Sequence, residues 1–473
     1  MKKETRIPIS NRSDLTTPRQ QWRCPMKTQI LFLMALLCAV VASVHSTQAA
    51  TIAVTNTNDS GPGSLRGALA VAHDGDTIDA TDVVGRIVLT SGALQITHSV
   101  SITGPGAGNL AIATGSTACD CIASSSVFEN FASNATISGF TITQSKGGAV
   151  INQGGLKLSN SSVVRNDGVG ISNSATLTIT NCTVSGNDGG GISNSATLTI
   201  TNCTIRGNSG GGISNSATLT ITNCTISGNS ASNGGGISNS AALTVSNCTV
   251  SGNSASNGGG IFNVAGFRTG VTINNSTLSG NSATGNGGGI FNVAGAIITG
   301  GTTISNSTLS GNSATGSGGA IYNAPGGVHF SVSRVSVKNS TISGNSAPNG
   351  GGIYNNGASG GAEVELGSTI LNAGSSGQNI ANFGAVHSFG YNLASDNGGG
   401  VLRGPGDRIN TNPMLGLLTH NGGPTLTHAL LAGSPAIDAG DPNFTPPPSF
   451  DQRGPGHPRV VNGRIDIGSF EVQ

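Results

Sequence analysis

The amino-acid sequence predicts an all-β solenoid, and three observations support this fold class. Near-identical units follow one another, as in "GGGISNSATLTITNCTIRGNS" from Gly189 to Ser209. Within each unit, apolar residues alternate with threonine, which is the period of a β-strand. Glycine accounts for 75 of 473 residues and aromatic residues for only 4%, so many turns must enclose a thin aliphatic core. The specific prediction is a right-handed parallel β-helix with three sheets.

The repeat units lengthen along the chain. Each contains three short strands, around "GGIS", "TLTIT" and "CTISG", with leucine and isoleucine pointing inward and threonine outward. Helical spacing is absent, which excludes the helical repeat folds. Stacked at about 4.8 Å per coil, 12 or 13 coils would form a rod about 60 Å long. The units begin at Gly147, Gly168, Gly189, Gly210, Gly234, Gly258, Gly287, Gly318 and Gly350.

The N-terminus has the layout of a secretory signal. The apolar run from Ile30 to Ala42 is too short to span a bilayer; Lys27 precedes it, and "STQAA" ends at Ala50. We therefore predict a signal segment over residues 1–50, with Met26 as the translation start; an uncleaved anchor is the alternative. Cleavage leaves no later membrane span and a net charge of −4. That charge argues against nucleic-acid binding, which needs a basic face.

Both ends of the array differ from its middle. Residues 51–93 are predicted to form an N-terminal cap, because "GSLRGALAVAHDGDTI" has helical spacing and Ser64 is a suitable N-cap. A helix there would cover the open strand edges of the first coil. The repeat array is predicted to occupy residues 94–395. Periodicity then stops, and residues 396–473 are predicted to form an irregular C-terminal capping segment.

Two slots of the repeat are occupied by small or turn-forming residues. Asparagine precedes a small residue in seven successive coils, and it tolerates the left-handed conformation of a sharp turn. Stacked amides would also bond from coil to coil. The next slot holds cysteine in four coils and serine in later ones, which indicates a small inward residue. The predicted turn ladder comprises Asn181, Asn202, Asn223 and Asn247.

The corner between the first and second strands lengthens in the C-terminal half. Leu177 follows Ile171 by six positions, whereas Val335 follows Ile321 by fourteen. Insertions at one corner of a solenoid stack on one face, which is often the binding face. The alternative is a wider coil with longer strands. The candidate ligand-binding ridge consists of Phe267, Arg268, His329, Phe330, Arg334 and Glu363.

No catalytic constellation stands out. Paired carboxylates for glycoside hydrolysis are missing from the regular coils, and no Ser/His/Asp pattern appears. The C-terminal carboxylates lie close in sequence to Arg453, Arg459 and Arg464, which indicates ion pairs that hold the cap together. The alternative is a structural calcium ion, bound among Asp438, Asp441, Asp451 and Asp466. No other cofactor is predicted, and no catalytic residue is assigned.

Three segments resemble known families of exported β-helix proteins. "NTNDSGPGSLRGALAVAHDGDTID" is similar to the CSLREA-type N-terminal motif, although Gly63 and Gly67 stand where that motif has Cys and Glu. The "GG[AG]I-[FY]-N" repeats resemble those of chlamydial polymorphic outer-membrane proteins. The segment from "NPMLGLLTHNGGPTLTHALLAGSPAIDAGD" to "DIGSFE" resembles the end module of choice-of-anchor Q proteins. These resemblances imply a secreted right-handed parallel β-helix, which is often tethered to the cell surface.

The predicted function is that of a secreted or surface-displayed scaffold. It would present a repetitive face for adhesion or glycan binding. Its predicted partner is a polysaccharide or a cell-surface glycoconjugate, and the chain is predicted to be a monomer. The sequence favours a binding protein over an enzyme. The alternative is an exported polysaccharide lyase or hydrolase, with its groove on the C-terminal half of the β-helix.

Overall fold

The computed structural model describes residues 49–115, 126–265, 270–295, 301–326, 331–357 and 361–473. Residues 51–394 form a right-handed parallel β-helix of about 13 turns, as the sequence predicts. We name the three sheets A, B and C and define each by its strands below. Along the chain, each coil contributes one strand to sheet C, then one to sheet A, then one to sheet B. Copies of the same strand pair in parallel and in register, so Leu177, Leu198 and Leu219 stack directly.

The described strands of the three sheets have the following bounds. Sheet A comprises Thr51–Ala53, Thr77–Asp79, Ser101–Thr103, Ala135–Ser138, Leu156–Ser159, Leu177–Thr180, Leu198–Thr201, Leu219–Thr222, Leu243–Ser246, Val271–Asn274, Gly301–Ser305, Val332–Lys338, Gly361–Gly367 and Ala385–Ser388. Sheet B comprises Gly85–Leu89, Leu110–Thr114, Thr141–Thr143, Ser162–Val164, Thr183–Ser185, Thr204–Arg206, Thr225–Ser227, Thr249–Ser251, Thr277–Ser279, Thr308–Ser310, Thr341–Asn345, Ile370–Ala373 and Leu393–Ala394. Sheet C comprises Leu94–Ile96, Phe128–Asn130, Val150–Asn152, Ile171–Asn173, Ile192–Asn194, Ile213–Asn215, Ile237–Asn239, Ile261–Ala265, Ile290–Ala294, Ile321–Ala324, Ile353–Asn355 and Ile380–Asn382.

A small fourth sheet lies at the corner between sheets B and C. It packs a short column of alanines, Ala283, Ala314 and Ala347. Outside the solenoid, the strands Leu415–Thr419 and Thr427–Leu430 pair antiparallel. The fourth sheet comprises Ser230–Asn233, Ser254–Asn257, Ser282–Ala283 and Ser313–Ala314.

The core of one coil follows from strand alternation. In the coil that starts at Gly189, the aliphatic side chains of Ile192, Leu198, Ile200 and Ile205 are buried, and the threonines between them face outward. Asn194 is equally buried, because it follows Ile192 by two residues in sheet C and so shares its inward face. The interior therefore contains polar amides that a simple hydrophobic pattern does not predict.

The first buried amide column runs along the inner face of sheet C. Each side-chain amide donates to the amide oxygen of the next coil, at N–O distances of 2.7–2.9 Å. An amide both donates and accepts, so identical copies stacked one coil apart satisfy each other. The column consists of Asn130, Asn152, Asn173, Asn194, Asn215, Asn239, Asn263, Asn292, Asn323, Asn355 and Asn382.

A second buried amide column follows sheet B. Here each amide oxygen also accepts the backbone N–H of the asparagine in the preceding coil, as Asn208 does for Asn187 at 3.1 Å. The amide–amide distances are 2.7–3.0 Å. Its members are Asn166, Asn187, Asn208, Asn229, Asn253, Asn281, Asn312 and Asn345.

The cysteine slot is an inward column of weak acceptors. The backbone N–H of Cys182 donates to the sulfur of Cys203 at 3.3 Å, and that of Cys203 donates to Cys224 at 3.2 Å. Ser276 accepts the corresponding bond from Cys248 at 3.1 Å. The four cysteines are free and buried. A small side chain carrying one acceptor is therefore what the slot requires, and either cysteine or serine supplies it.

The asparagines of the predicted turn ladder do not form the main amide columns. Asn181, Asn202, Asn223 and Asn247 have φ of 54° or 55°, the left-handed conformation of a tight turn. The amide of Asn181 donates to Asn160 at 3.3 Å. Among the described residues, the side chains of the other three make no such bond from coil to coil. Their amides point outward, so water replaces the neighbouring coil as their partner.

The N-terminal helix spans Leu65–Val71. Ser64 is its N-cap and accepts the backbone N–H of Gly67 at 3.0 Å, while Leu65 and Ala68 are buried against the first coils. Residues 51–93 also contribute the first strands of sheets A and B. The stacked coils thus begin well before Leu94, because the parallel pairing of Thr51–Ala53 with Thr77–Asp79 closes a turn around the helix. Residues 1–48 of the predicted signal segment lie outside the described residues.

The C-terminal segment has two parts. Leu402 packs on the core at the open end of the last coil, and Arg408 pairs with Leu393. Residues 412–473 then return along the outside of the solenoid and cover sheet B. Gln452 bonds Thr277 and Thr308, which lie in successive coils, at 2.9 and 2.6 Å. The segment is therefore a lateral cover as well as an end cap.

The lateral cover contains a buried charged cluster. Asp451 forms an ion pair with Arg453 at 2.6 Å, and both side chains are buried. Arg459 is fully buried and donates to the carbonyl oxygen of Asp466. The backbone N–H of Asp466 donates to Glu471 at 2.9 Å. Burial raises the pKa of the Glu471 carboxyl to about 8.

This burial predicts a pH-dependent stability. Between pH 4.5, the ordinary value, and about pH 8, the folded Glu471 carboxyl keeps a proton that the unfolded chain has released. The contribution of Glu471 to the free energy of unfolding is therefore fully present below the ordinary pKa, and it is lost as the pH rises through about 8. We expect the free energy of unfolding, and with it the melting temperature, to fall from about pH 6.5 to 8; the free energy should fall by at most about 1.4 kcal/mol per pH unit.

Thermal melts of the wild type and Glu471→Gln across this pH range measure the effect. The variant keeps an oxygen for the N–H of Asp466 but does not titrate, so its melting temperature should vary less with pH. Burial lowers the pKa of His428, so this residue titrates below the window. An equal pH dependence in both proteins would contradict the assignment to Glu471.

Candidate functional site

The insertions stack at one corner, between sheets C and A. Part of their length extends the strands: sheet C strands grow to five residues in Ile261–Ala265, and sheet A strands to seven in Val332–Lys338 and Gly361–Gly367. Of the predicted ridge, Arg334 and Glu363 lie side by side on sheet A. Phe267, Arg268, His329 and Phe330 lie outside the described residues.

Arg334 and Glu363 belong to a larger charged surface on sheet A. In the coils from Leu177 to Asn274, the outward positions of this sheet are Thr, Ser and Asn. In the last three strands, the pairing Arg334–Glu363 and the pairing Ser336–Glu365–His387 bring charged residues into register. We call this surface the charged face and define it as Arg334, Lys338, Glu363, Glu365 and His387.

Arg334 lies between the two carboxylates of the charged face. Its guanidinium donates two hydrogen bonds to Glu363, at 2.6 and 2.9 Å, and lies 3.6 Å from Glu365. Its side chain remains 45% exposed, so the group is reachable by a ligand. Glu363 raises the pKa of the Arg334 guanidinium above its ordinary value. Arg334 therefore stays cationic at neutral pH and is unsuited to act as a catalytic base.

An aromatic pocket adjoins the charged face at the corner with sheet B. Lys338, the last residue of its strand, places its ammonium 4.7 Å from the ring centroid of Phe389. Phe389 is 54% exposed. The pocket has a volume of about 330 Å³, and its lining combines three aromatic rings with one cation and one carboxylate. It is lined by Lys338, Asn339, Gly367, Ser368, Phe389, Gly390, Tyr391, Asp441, Phe444 and Pro447.

A stack of aromatic rings lies on the outward face of sheet C, next to the corner at which the insertions stack. Phe262, Phe291, Tyr322 and Tyr354 stack with centroid distances of 4.9–5.4 Å and interplanar angles of 6–9°. In parallel stacking at this distance, each ring covers the face of the next, so mainly ring edges are open. Phe383 ends the stack with a tilt of 47° and is 63% exposed. It is thus the member with an open face.

Two of the C-terminal carboxylates, Asp451 and Asp466, have protein partners. Asp451 pairs with Arg453, and Asp466 accepts the backbone N–H groups of Asp438 and Val472, each at 2.7 Å. Asp441 lines the aromatic pocket instead. Over the described ranges, no group of three or more His, Cys, Asp or Glu side chains is arranged to hold a metal ion.

Sequence reasoning missed the aromatic stack and the aromatic pocket for different reasons. The stack had a signal, because alternation in "IFN" and "IYN" places Phe262 and Tyr322 outward in the same slot. The pocket had none, because Phe389 and Phe444 are brought together only by the return of the C-terminal segment.

None of the helices in the described part of the chain has the length and hydropathy that a bilayer span requires.

Family models match two parts of the chain. The right-handed β-helix region matches residues 125–278. The Chlamydia polymorphic membrane protein repeat matches residues 275–293, 306–324 and 339–356. The second set of matches covers coils of the aromatic stack, in agreement with the resemblance seen in the sequence. No relative was found among curated proteins.

Two solved structures are distantly similar to the chain. Pectate lyase Pel9A has 13% sequence identity and a TM-score of 0.44, over 90% of this chain and 97% of that chain. The A-module of the Azotobacter vinelandii mannuronan C-5 epimerase AlgE6 has 14% identity and a TM-score of 0.39, over 65% of this chain and 88% of that chain.

Proposed function

We propose that this chain is an exported, non-catalytic β-helix scaffold that binds a polysaccharide on the C-terminal half of its rod. The change in the outward surface of sheet A carries the proposal. Hydroxyl and amide side chains give way there to the charged face, which ends in the aromatic pocket. Aromatic rings accept the apolar faces of sugars, while Arg334, Lys338 and the carboxylates bond hydroxyl groups.

The scaffold suits the binding of an extended polymer. The three sheets are stacked in register, and two buried amide columns connect successive coils, so the outward side chains are held at fixed spacing. A preorganised surface loses little conformational entropy on binding. The charged face and the aromatic pocket are continuous through Lys338, which contributes to both. A chain of sugars would thus meet several contacts on one rigid surface.

Binding to a panel of acidic and neutral polysaccharides, measured by affinity electrophoresis and calorimetry, tests the proposal. Phe389→Ala should weaken the best ligand about three- to tenfold, the loss expected for one aromatic contact. Phe131→Ala is the matched control, because Phe131 is 45% exposed and lies in an early coil. Equal affinities of wild type and Phe389→Ala, or an equal loss in both variants, would contradict the proposal.

A polysaccharide lyase or hydrolase is the second candidate, favoured by two carboxylates that share one guanidinium on an open surface. The persistent charge of Arg334 argues against it. Incubation with the same polysaccharides, followed by detection of unsaturated or reducing ends, separates the two functions. Turnover by purified wild type that is lost in Arg334→Ala and Glu363→Gln would establish the enzyme instead.

The location outside the cell is part of the proposal. It is supported by the signal-like layout of residues 1–50 and by the Chlamydia polymorphic membrane protein repeat matches. The resemblance of residues 396–473 to choice-of-anchor Q end modules adds the proposal that the protein is secreted or displayed at the cell surface. Detection of the protein in culture medium and on intact cells distinguishes release from display.

A further inference from the structure

We propose a second binding site, on the uncovered part of sheet B, that holds the carboxylate groups of an acidic polysaccharide. This site goes beyond the charged face, from which it differs in sheet and in charge. It centres on two exposed arginines, Arg165 and Arg206, and on the open groove between them. The groove has a volume of about 490 Å³ and includes Ser185, Gly186, Gly207 and Ser227 in its lining.

Both arginines are free to bind an anion. Within the described ranges, neither guanidinium has a hydrogen-bond or ion-pair partner, and both side chains are exposed. Unpaired arginines are notable in a chain with only 9% charged residues. The nearest carboxylates along the chain are Asp167 and Asp188, and neither lies within ion-pair distance of Arg165 or Arg206. A guanidinium presents paired donors that match a carboxylate.

The backbone at Arg165 supports a functional role. Arg165 has φ of 56°, a left-handed conformation that is costly for a residue with a side chain. The next three coils place Gly186, Gly207 and Gly228 in this slot, with φ of 61–62°. Arg165 thus carries a side chain at positive φ, as Gln144 does in the preceding coil with φ of 55°, where the later coils use glycine. Strain of this kind is found at binding sites.

The glycines leave the groove open between the arginines. A Cβ atom added at Gly207 or Gly228 would have no atom within 4 Å. The space above these two glycines, which line the groove, is therefore unfilled. Ser185, Arg206 and Ser227 share one column of sheet B, while Arg165 lies one coil below Gly186. The two arginines are therefore two coils apart, about 10 Å along the rod.

The lining selects among polyanions. The groove offers hydroxyl groups, backbone and guanidinium groups, but no aromatic ring on which a nucleic-acid base could stack. It also lacks an apolar pocket for peptide side chains. A hydroxyl-rich polymer with carboxylates spaced along one side fits these features. The C-terminal segment covers sheet B only in later coils, from Thr277 onward, so the groove stays accessible.

The test compares binding of the full chain to polygalacturonate, a sulfated galactan and neutral dextran by calorimetry and affinity electrophoresis. The variant combines Arg165→Gln with Arg206→Ser. Both replacements occur naturally in the same slots, at Gln144 and at Ser185 and Ser227, so folding should be retained and is checked by circular dichroism. Lys157→Gln is the control, because Lys157 is an exposed cation of the same coil on sheet A.

Wild type should bind polygalacturonate in preference to dextran, with affinity falling as salt rises. The double variant should bind it at least about tenfold more weakly, and Lys157→Gln within about twofold of wild type. Unchanged affinity in the double variant, or an equal loss in the control, would overturn the site. Tight binding of the sulfated galactan without polygalacturonate would overturn the carboxylate assignment. The double variant should lose the same factor of affinity in the Phe389→Ala background as in wild type, because distant sites contribute independently, which separates this site from the aromatic pocket.

Discussion

Asn215→Leu is expected to lower the free energy of unfolding by about 2–5 kcal/mol. Asn215 is 2% exposed and lies in the middle of the first amide column. It accepts from Asn194 at 2.7 Å and donates to Asn239 at 2.7 Å and to the Ala217 carbonyl at 2.7 Å. Leucine has a similar size but no polar atom, so it leaves groups above and below it without their partners.

The loss extends beyond one contact because the column is continuous. The side-chain oxygen of Asn239 has Asn215 as its donor, and a buried acceptor without a donor costs about 1–3 kcal/mol. The coils depend on their neighbours for stability, so a fault in a central coil weakens both halves of the stack. Chemical denaturation, followed by circular dichroism, measures the change.

Asn202→Gly is the matched control for this substitution. Asn202 is exposed and has φ of 54°, a conformation that glycine adopts without strain. Its replacement should change the free energy of unfolding by no more than about 0.5 kcal/mol. If Asn215→Leu were as mild as Asn202→Gly, the amide column would not be a major source of stability.

Gln452→Leu is expected to detach the lateral cover, at a cost of about 2–4 kcal/mol. Gln452 is fully buried between the cover and sheet B. Its amide donates to Thr277 and Thr425, at 2.9 and 3.0 Å, and its oxygen accepts from Thr308 at 2.6 Å. Leucine would leave these buried hydroxyl groups facing an apolar side chain.

The effect should be local, because the coils beneath the cover keep their own strand pairing. Hydrogen exchange should speed up in residues 412–473 and at Thr277 and Thr308, while coils near Asn215 stay protected. Limited proteolysis should cut the C-terminal segment first. Gln473→Leu is the control, since Gln473 is exposed and bonds only backbone carbonyls. If these residues exchanged at the same rates in wild type and in Gln452→Leu, the role of Gln452 would be contradicted.

Much of the solenoid was predictable because its copies are nearly identical. Alternation in "TLTIT" identified the inward residues of sheet A, such as Leu198 and Ile200, and their recurrence predicted the parallel register. The same alternation in "ISN" placed Asn194 inward, but burial of a polar residue runs against its usual preference. The amide column becomes favourable only when identical amides lie one coil apart, which is a property of the stack rather than of one strand.

The candidate site was predictable only in part. The lengthening corner pointed to Arg334 and Glu363, which the structure places in contact. Lys338, Phe389 and Phe444 carried no such signal. Phe444 lines the same pocket as Lys338, more than one hundred residues away in sequence, because the C-terminal segment folds back, and no local pattern encodes that return. The predicted ridge residues Phe267, Arg268, His329 and Phe330 remain a prediction.

The sequence by itself determined the coil, the strand order and the inward aliphatic residues. Each repeat unit has the same local conformational preferences at a fixed period, and this periodicity specifies the register between coils. Only the tertiary structure decided which surfaces stay open. Bonds such as Gln452 to Thr277, separated by 175 residues, cover sheet B in the late coils and leave the groove of Arg165 and Arg206 exposed. Such contacts depend on the match between two finished surfaces, and neither surface exists until the coils have stacked.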